Sequence, residues 1–318
     1  MRVALWPAIG LVIAISVVSC GGTPTSPAPT TPSPVPSPAP TPTPTPAPAP
    51  QPSSPLPLGQ ATAGGTVTCP PNLGPTANSA CSSLVVACPS VAGATATLRI
   101  TRPASTASNR GTVVLTTGGD GTNFQDSPLT AGMISTLAGD GLTVVQLRWD
   151  PPGIWGGPRA RTLGCRYATA ARWIYDNVHG GGRSRLFAAQ GTSGGSAQIA
   201  MGLGHYGVDV IDLANLGGGP PNCPLCSSDG QNPLEPLMPF EARGPGSRDP
   251  VVSYPGTTVR FFLGDQEPTP DIITDANAYH RAITSAKSFT VVPGTAHTIE
   301  GTQAGVDAYV ASIRAGLK

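Results

Sequence analysis

From Arg110 to Lys318 the chain alternates short apolar runs with stretches whose apolar residues recur every three to four positions. This alternation limits the possible folds more than any other feature. The runs are "RGTVVLTTGGDG" (110–121), "LTVVQLRW" (142–149), "RLFAAQ" (185–190), "VDVIDLANL" (208–216), "TTVRFFLG" (257–264) and "SFTVVPG" (288–294), each reading as a buried strand. Between them, Ser127-Pro128 supplies cap and first-turn chemistry for a helix carrying Leu129, Met133 and Leu137 on one face, ended by Gly139. A second helix is predicted over 161–179, with Leu163, Tyr167, Ala170, Ile174 and Val178 aligned and Gly180 to Gly182 stopping it. Further helices are predicted over 196–203, along Ile272, Ala276, Tyr279 and Ile283, and along Val306, Tyr309, Val310, Ile313 and Leu317. "SLVVACP" (83–89) and "ATATLRITRP" (94–103) precede the series as an opening pair of strands. Paired strands followed by strand–helix repeats predict an α/β fold: a mostly parallel central sheet covered by helices on both faces.

The N-terminal end belongs to a different regime. "MRVALWPAIGLVIAISVVSCGG" opens with one cation, Arg2, followed by an uncharged apolar run from Val3 to Val18 that is short for a spanning helix. Its end, Val17-Val18-Ser19-Cys20-Gly21, resembles the lipobox of bacterial lipoproteins. That resemblance implies a leader over 1–19, lipidation of Cys20, and an exported protein held to a membrane in the cell envelope or at the cell surface. Residues 20–59 are rich in Pro, Thr and Ala, as in "PAPTPTPTPAPAP" (38–50). Such a segment has little to bury and cannot offset its ordering entropy, so a disordered, extended tether reaching roughly 100 Å is expected. Residues 60–318 remain for one large domain.

A net charge of +1 with only 11% charged residues leaves no basic field for nucleic acid. Beyond Cys20 stand Cys69, Cys81, Cys88, Cys165, Cys223 and Cys226, an even set downstream of an export signal, which predicts disulfides of unassigned pairing. Cys223-Pro-Leu-Cys226 has neither a second CxxC pair nor a nearby histidine, so no metal site is expected.

The candidate chemistry sits beyond the carboxyl ends of the strands, where ligands gather in open α/β sheets. "FAAQGTSGGSAQIA" (187–200) contains G-x-S-x-G at Gly191 to Gly195. In a chain with 40 glycines, chance supplies on the order of a few tenths of such a match, so the motif gains weight only from the strand before it and the helix after it. Glycines flanking Ser193 permit the tight strand-to-helix turn that lifts a serine hydroxyl out as a nucleophile. Of four histidines, His179 and His205 stand at apparent helix ends and His280 lies within a helix. His297, in "VVPGTAHTIEG" (291–301), occupies the loop between the last strand and last helix and is the candidate base. The loop after "VRFFLG" offers Asp265, Glu267 and Asp271 as the acid that orients it.

Strand, G-x-S-x-G and helix, then strand and acid, then strand, histidine and helix resembles the α/β-hydrolase fold superfamily of serine esterases and lipases over about 83–318. Many members carry the acid in a G-x-x-D-P pattern; "GDQEP" (264–268) has Glu267 at that position, so the resemblance implies Glu267, with Asp265 as second choice. It also implies an oxyanion hole from the backbone of Gly194 and, in "TTGGDG" (116–121), Gly119, with Thr117 where histidine often stands. The implied activity is carboxylic ester hydrolysis through an acyl-enzyme, without a cofactor. A peptidase or acyltransferase on the same triad, or a binding protein without turnover, are the alternatives. Trp149 and Trp155 in "RWDPPGIWGG" (148–157) are candidates to line a substrate pocket. The Pro/Gly-rich stretch 217–256 is expected as an irregular covering loop, whose shallow cover would suit a bulky or polymeric ester.

Overall fold

A computed structural model describes residues 55–69, 78–89, 91–105, 109–154, 160–220 and 253–318, all within one unit, Pro50–Lys318. Among the described residues one sheet has nine strands: β1 (Gln60–Val67), β2 (Ser79–Cys88), β3 (Val91–Thr101), β4 (Gly111–Thr116), β5 (Leu142–Trp149), β6 (Leu186–Thr192), β7 (Leu213–Gly217), β8 (Thr258–Gly264) and β9 (Lys287–Val292). The helices are α1 (Pro128–Gly139), α2 (Ala160–Ile174), α3 (Gly194–Tyr206), α4 (Pro270–Ala282) and α5 (Gln303–Ala315). The strand order is β1-β2-β3-β5-β4-β6-β7-β8-β9. β1, β2, β3 and β5 pair antiparallel, and every pair from β5–β4 through β8–β9 is parallel.

Strand alternation divides the core into two layers. Val114, Val145, Leu147, Phe187 and Ala189 face α2, α3 and α4. Val113, Leu115, Val144, Leu186 and Ala188 face α1 and α5. Each fully buried Val, Leu or Phe side chain among them contributes about 1.5–3 kcal/mol, which fixes the register of the central strands.

Three elements depart from the sequence pattern. β1, "QATAGGTV", was not expected, because an edge strand exposed along most of its length has no apolar alternation to reveal it. The run 208–216 yields a strand only from Leu213; Val208, Val210 and Ile211 are buried before it as non-strand backbone. The second helix changes to one π-helical turn at Tyr175–His179 before ending at Gly180, whose φ is +84°.

Cys69 is bonded to Cys81 and Cys88 to Cys165. The second bridge staples the end of β2 to α2 across 77 residues of chain. Such bonds belong to an oxidising, exported setting. Among the described residues no helix is long and apolar enough to cross a membrane. The last residues of the expected tether are docked on the domain: Leu56 N–H donates to His205 O at 2.8 Å, and Gly59 N–H to Thr169 Oγ1 at 2.8 Å.

Candidate active site

The turn from β6 into α3 is built by close approach of backbones. A Cβ on Gly191 would lie 2.5 Å from Thr116 Oγ1, and one on Gly195 would lie 2.7 Å from Thr116 O. Only glycine lets the end of β4, the end of β6 and the start of α3 meet there. Thr116 Oγ1 ties them together by donating toward Gln190 O at 3.3 Å and Gly195 O at 3.2 Å.

Between those glycines Ser193 adopts φ 55°, ψ −123° as the N-cap of α3. A non-glycine residue held there stores about 1–3 kcal/mol of strain, sustained by surrounding bonds. Ser193 N–H donates to Gly217 O on β7 at 2.8 Å, and Ser193 O accepts from Ala197 N–H at 3.1 Å and Ser196 Oγ at 2.6 Å. Ser193 is partly exposed while Gly191, Thr192, Gly194 and Gly195 are buried. The loop after β4 faces it: a Cβ on Gly118 would stand 3.2 Å from Ser193 Cβ and 3.7 Å from its Oγ. Gly119, at φ +57°, packs against Gly194, whose Cβ would lie 3.0 Å from Gly119 N. The two glycines expected to supply the oxyanion donors are thus neighbours in space.

His297 follows β9 in a loop that crosses the end of β8. Its Nδ1 is 2.8 Å from Glu267 Oε2, and Glu267 Oε1 accepts from Thr269 N–H at 3.2 Å. The Glu267 side chain is fully buried, whereas that of His297 is 28% exposed, leaving part of the ring accessible. Asp265 is exposed, and its Oδ1 accepts from Thr295 N–H at 3.3 Å; it holds the loop backbone, not the imidazole. Gly218 joins the two halves of the site: its Cβ would lie 3.2 Å from both Nδ1 and Cε1 of His297, and its neighbour Gly217 holds Ser193.

The other histidines are packed elsewhere. His179 is buried against Thr112 Oγ1 at 3.2 Å and Gly182 O at 3.3 Å, and burial lowers its pKa. His280 meets Phe261 and Phe289 edge-on, and burial lowers its pKa as well. His205 sits in the last turn of α3, at the far end from Ser193.

Trp149 corrects one expectation. It is fully buried, and its Nε1 donates to Gln198 Oε1 at 3.1 Å, so it fills the core under the β4 loop and offers no face to a substrate. A tryptophan on the inward face of a central strand is drawn in by its area, with its N–H satisfied by a buried amide. Trp155, Cys20 and residues 221–252 of the expected covering loop lie outside the described residues.

Sequence reasoning passed over Glu300. It lies in the 3₁₀ turn Ile299–Gly301, is 8% exposed, and its Oε2 accepts from Thr192 Oγ1 at 2.5 Å. Thr192 Oγ1 is also 3.0 Å from Tyr309 OH. Burial, the largest influence, pushes the Glu300 carboxyl up, while its bonds to Thr192 and to its own backbone and the charge of His297 pull it down. The sequence signal was a lone acid in an apolar turn, three residues after the candidate base.

No protein-family model matches the chain, and no curated protein matches it in sequence. Solved structures do. The dienelactone hydrolase of Anabaena variabilis aligns at 13% identity and TM-score 0.50, covering 76% of this chain and 100% of its own. Esterase 2 of Thermogutta terrifontis aligns at 16% identity and TM-score 0.49, covering 69% of this chain and 88% of its own. The likeness to the dienelactone hydrolase is one of fold, and with the strand order above it gives this chain the α/β-hydrolase fold.

Proposed function

We propose that this α/β-hydrolase-fold chain is a serine hydrolase of carboxylic esters. The observation that carries the reading is the 2.8 Å His297–Glu267 pair, on the loops that follow β9 and β8, joined through Gly217 and Gly218 to a strained Ser193. In this reading Ser193 Oγ attacks the ester carbonyl while its proton passes to Nε2 of His297. Glu267, bonded at Nδ1, holds the tautomer that leaves Nε2 free and stabilises the imidazolium. The new oxyanion accepts from the N–H groups of Gly194 and Gly119. The tetrahedral adduct then expels the alcohol, which takes the proton from Nε2, leaving Ser193 acylated. Water repeats the cycle with His297 as base and releases the acid. No cofactor enters any of these steps.

The substrate class is an ester-containing small molecule or polymer. The N-terminal reading joins this proposal: residues 1–19 as leader, Cys20 as the lipidated residue anchoring the chain to a membrane, and 20–59 as tether to a domain over 60–318. Replacing Cys20 with Ala is expected to release the protein from the membrane fraction; continued sedimentation with membranes counts against lipidation.

The test of the catalytic reading is covalent labelling by a fluorophosphonate, alongside hydrolysis of short nitrophenyl esters. The parent protein should label and turn over, and Ser193→Ala should do neither. A parent that neither labels nor turns over would sink the proposal. Turnover retained in Ser193→Ala would place the chemistry on another residue.

A further inference from the structure

Directly beneath the nucleophile turn, on the α5 side of the sheet, lies a polar cluster with no part in the steps above. Thr192, Glu300 and Tyr309 are 3%, 8% and 0% exposed. Tyr309 OH stands 3.0 Å from Thr192 Oγ1, which donates to Glu300 Oε2 at 2.5 Å, so the short chain of hydroxyls ends on a carboxylate acceptor. Each member adjoins the candidate machinery. Thr192 is the residue before Ser193, Glu300 stands three residues after His297, and the Tyr309 hydroxyl lies against Gly217, which accepts the Ser193 N–H.

We infer that Glu300 is a second carboxylate serving His297: a positioning residue that fixes the nucleophile turn through Thr192 and supplies negative charge facing the imidazolium formed when Ser193 gives up its proton. The inference rests on the serine-hydrolase reading. A buried carboxylate is costly unless bonded and opposed by positive charge. Burial pushes the Glu300 carboxyl up, and the bond from Thr192, its own backbone N–H and then the charge of His297 pull it back. The other groups around the pair are accounted for. From the loop after β8, Glu267 meets the other side of the imidazole, and Asp265 is committed to Thr295 N–H. From α5, Tyr309 meets Thr192, while Asp307 bonds Gln303 at the surface and Arg314 pairs with Asp140. On β8, Arg260 bonds Ser312. α1 carries no ionisable side chain. Glu267 is thus bonded to the imidazole directly, and Glu300 is bonded to the residue that precedes Ser193.

The test compares kcat and KM of the parent and Glu300→Gln for a short nitrophenyl ester between pH 5 and 9. Gln keeps an acceptor for Thr192 and removes the charge. Expected is a fall in kcat of about tenfold, little change in KM, and an acid limb of the kcat/KM profile displaced to lower pH. A merely structural role would lower the amount of active enzyme without moving that limb. Glu300→Asp, which keeps the charge, should hold the limb where the parent has it even if kcat falls; this variant decides the matter should Glu300→Gln not fold. A limb in the parental position for Glu300→Gln, or one displaced equally in Glu300→Asp, overturns the inference while an active parent leaves the serine-hydrolase reading intact. A parent that neither labels with fluorophosphonate nor turns over overturns that reading and this inference with it.

Discussion

Glu267 and Asp265 stand two positions apart and meet different partners. Glu267 is buried with one oxygen on His297 and the other on a backbone N–H; Asp265 is exposed and caps the loop that carries His297. Glu267→Gln is therefore expected to lower kcat by roughly 10³- to 10⁴-fold with the fold retained, as when a triad acid loses its charge but keeps its shape. Asp265→Asn should instead cost about 1 kcal/mol of stability and leave kcat near the parent value. Denaturant melts and steady-state kinetics on both variants separate the two roles; a larger kinetic loss in Asp265→Asn would reverse the assignment. Glu300 makes a prediction of its own about pH. Its carboxyl is pushed above the ordinary glutamate value by burial, so the folded state holds the proton more tightly than the unfolded state. The resulting stabilisation is complete below the ordinary glutamate range and is lost as pH rises through the raised value. Glu300→Gln has no such term, so its stability relative to the parent should increase between about pH 4 and pH 7.5. Urea midpoints at the two pH values measure it, and a difference that stays constant with pH counts against it.

At the scale of elements, the turn at Ser193 between β6 and α3 is the most demanding join in the fold. Gly195→Ala would place a Cβ 2.7 Å from Thr116 O and 2.8 Å from Thr117 O, both backbone atoms that cannot swing aside. A loss of about 3 kcal/mol or more, with fluorophosphonate labelling abolished, is expected from calorimetry and labelling together. The central elements were legible in the sequence because each carries a period that its burial enforces. Strands β4 to β6 and β8 read as continuous apolar runs, and α1 read from the Ser127-Pro128 start, whose hydroxyl does accept the Thr130 N–H at 3.2 Å. What escaped had no period to read. β1 lies at an edge, exposed along most of its length and paired with β2, and the π-helical turn at Tyr175–His179 keeps helical spacing while changing the hydrogen-bond step. Ser193 and His297 are candidates from motif and loop position alone. Glu300 is not, because its significance lies in Thr192, which bonds it from 108 residues upstream and is itself met by Tyr309 of the next helix. Trp149 was misjudged for a related reason: its place at a strand end suits a pocket wall, and only the packing of Gln198 against it decides otherwise.

At the scale of the molecule, the two disulfides among the described residues share the stabilisation with the two core layers. Cys88–Cys165 closes a long loop, so replacing both cysteines with Ser should lower stability by about 2–4 kcal/mol in denaturant titration, without altering labelling at Ser193. The N-terminal strands gain most from it, since β1 and β2 lie at the open edge of the sheet and the bridge fastens β2 to α2. A further consequence concerns mechanical load. Pro55 lies against Gly207, with Leu56 bonded to His205 at the C-terminal end of α3. Ser193 caps the other end of that helix, 13 residues or about 20 Å away. Tension drawn through the preceding segment would be met first by the Leu56–His205 and Gly59–Thr169 bonds and then by the ladder between β1 and β2. The attachment lies at the back of the helix whose front carries Ser193, so a pull that frays it would leave the Ser193 end slack.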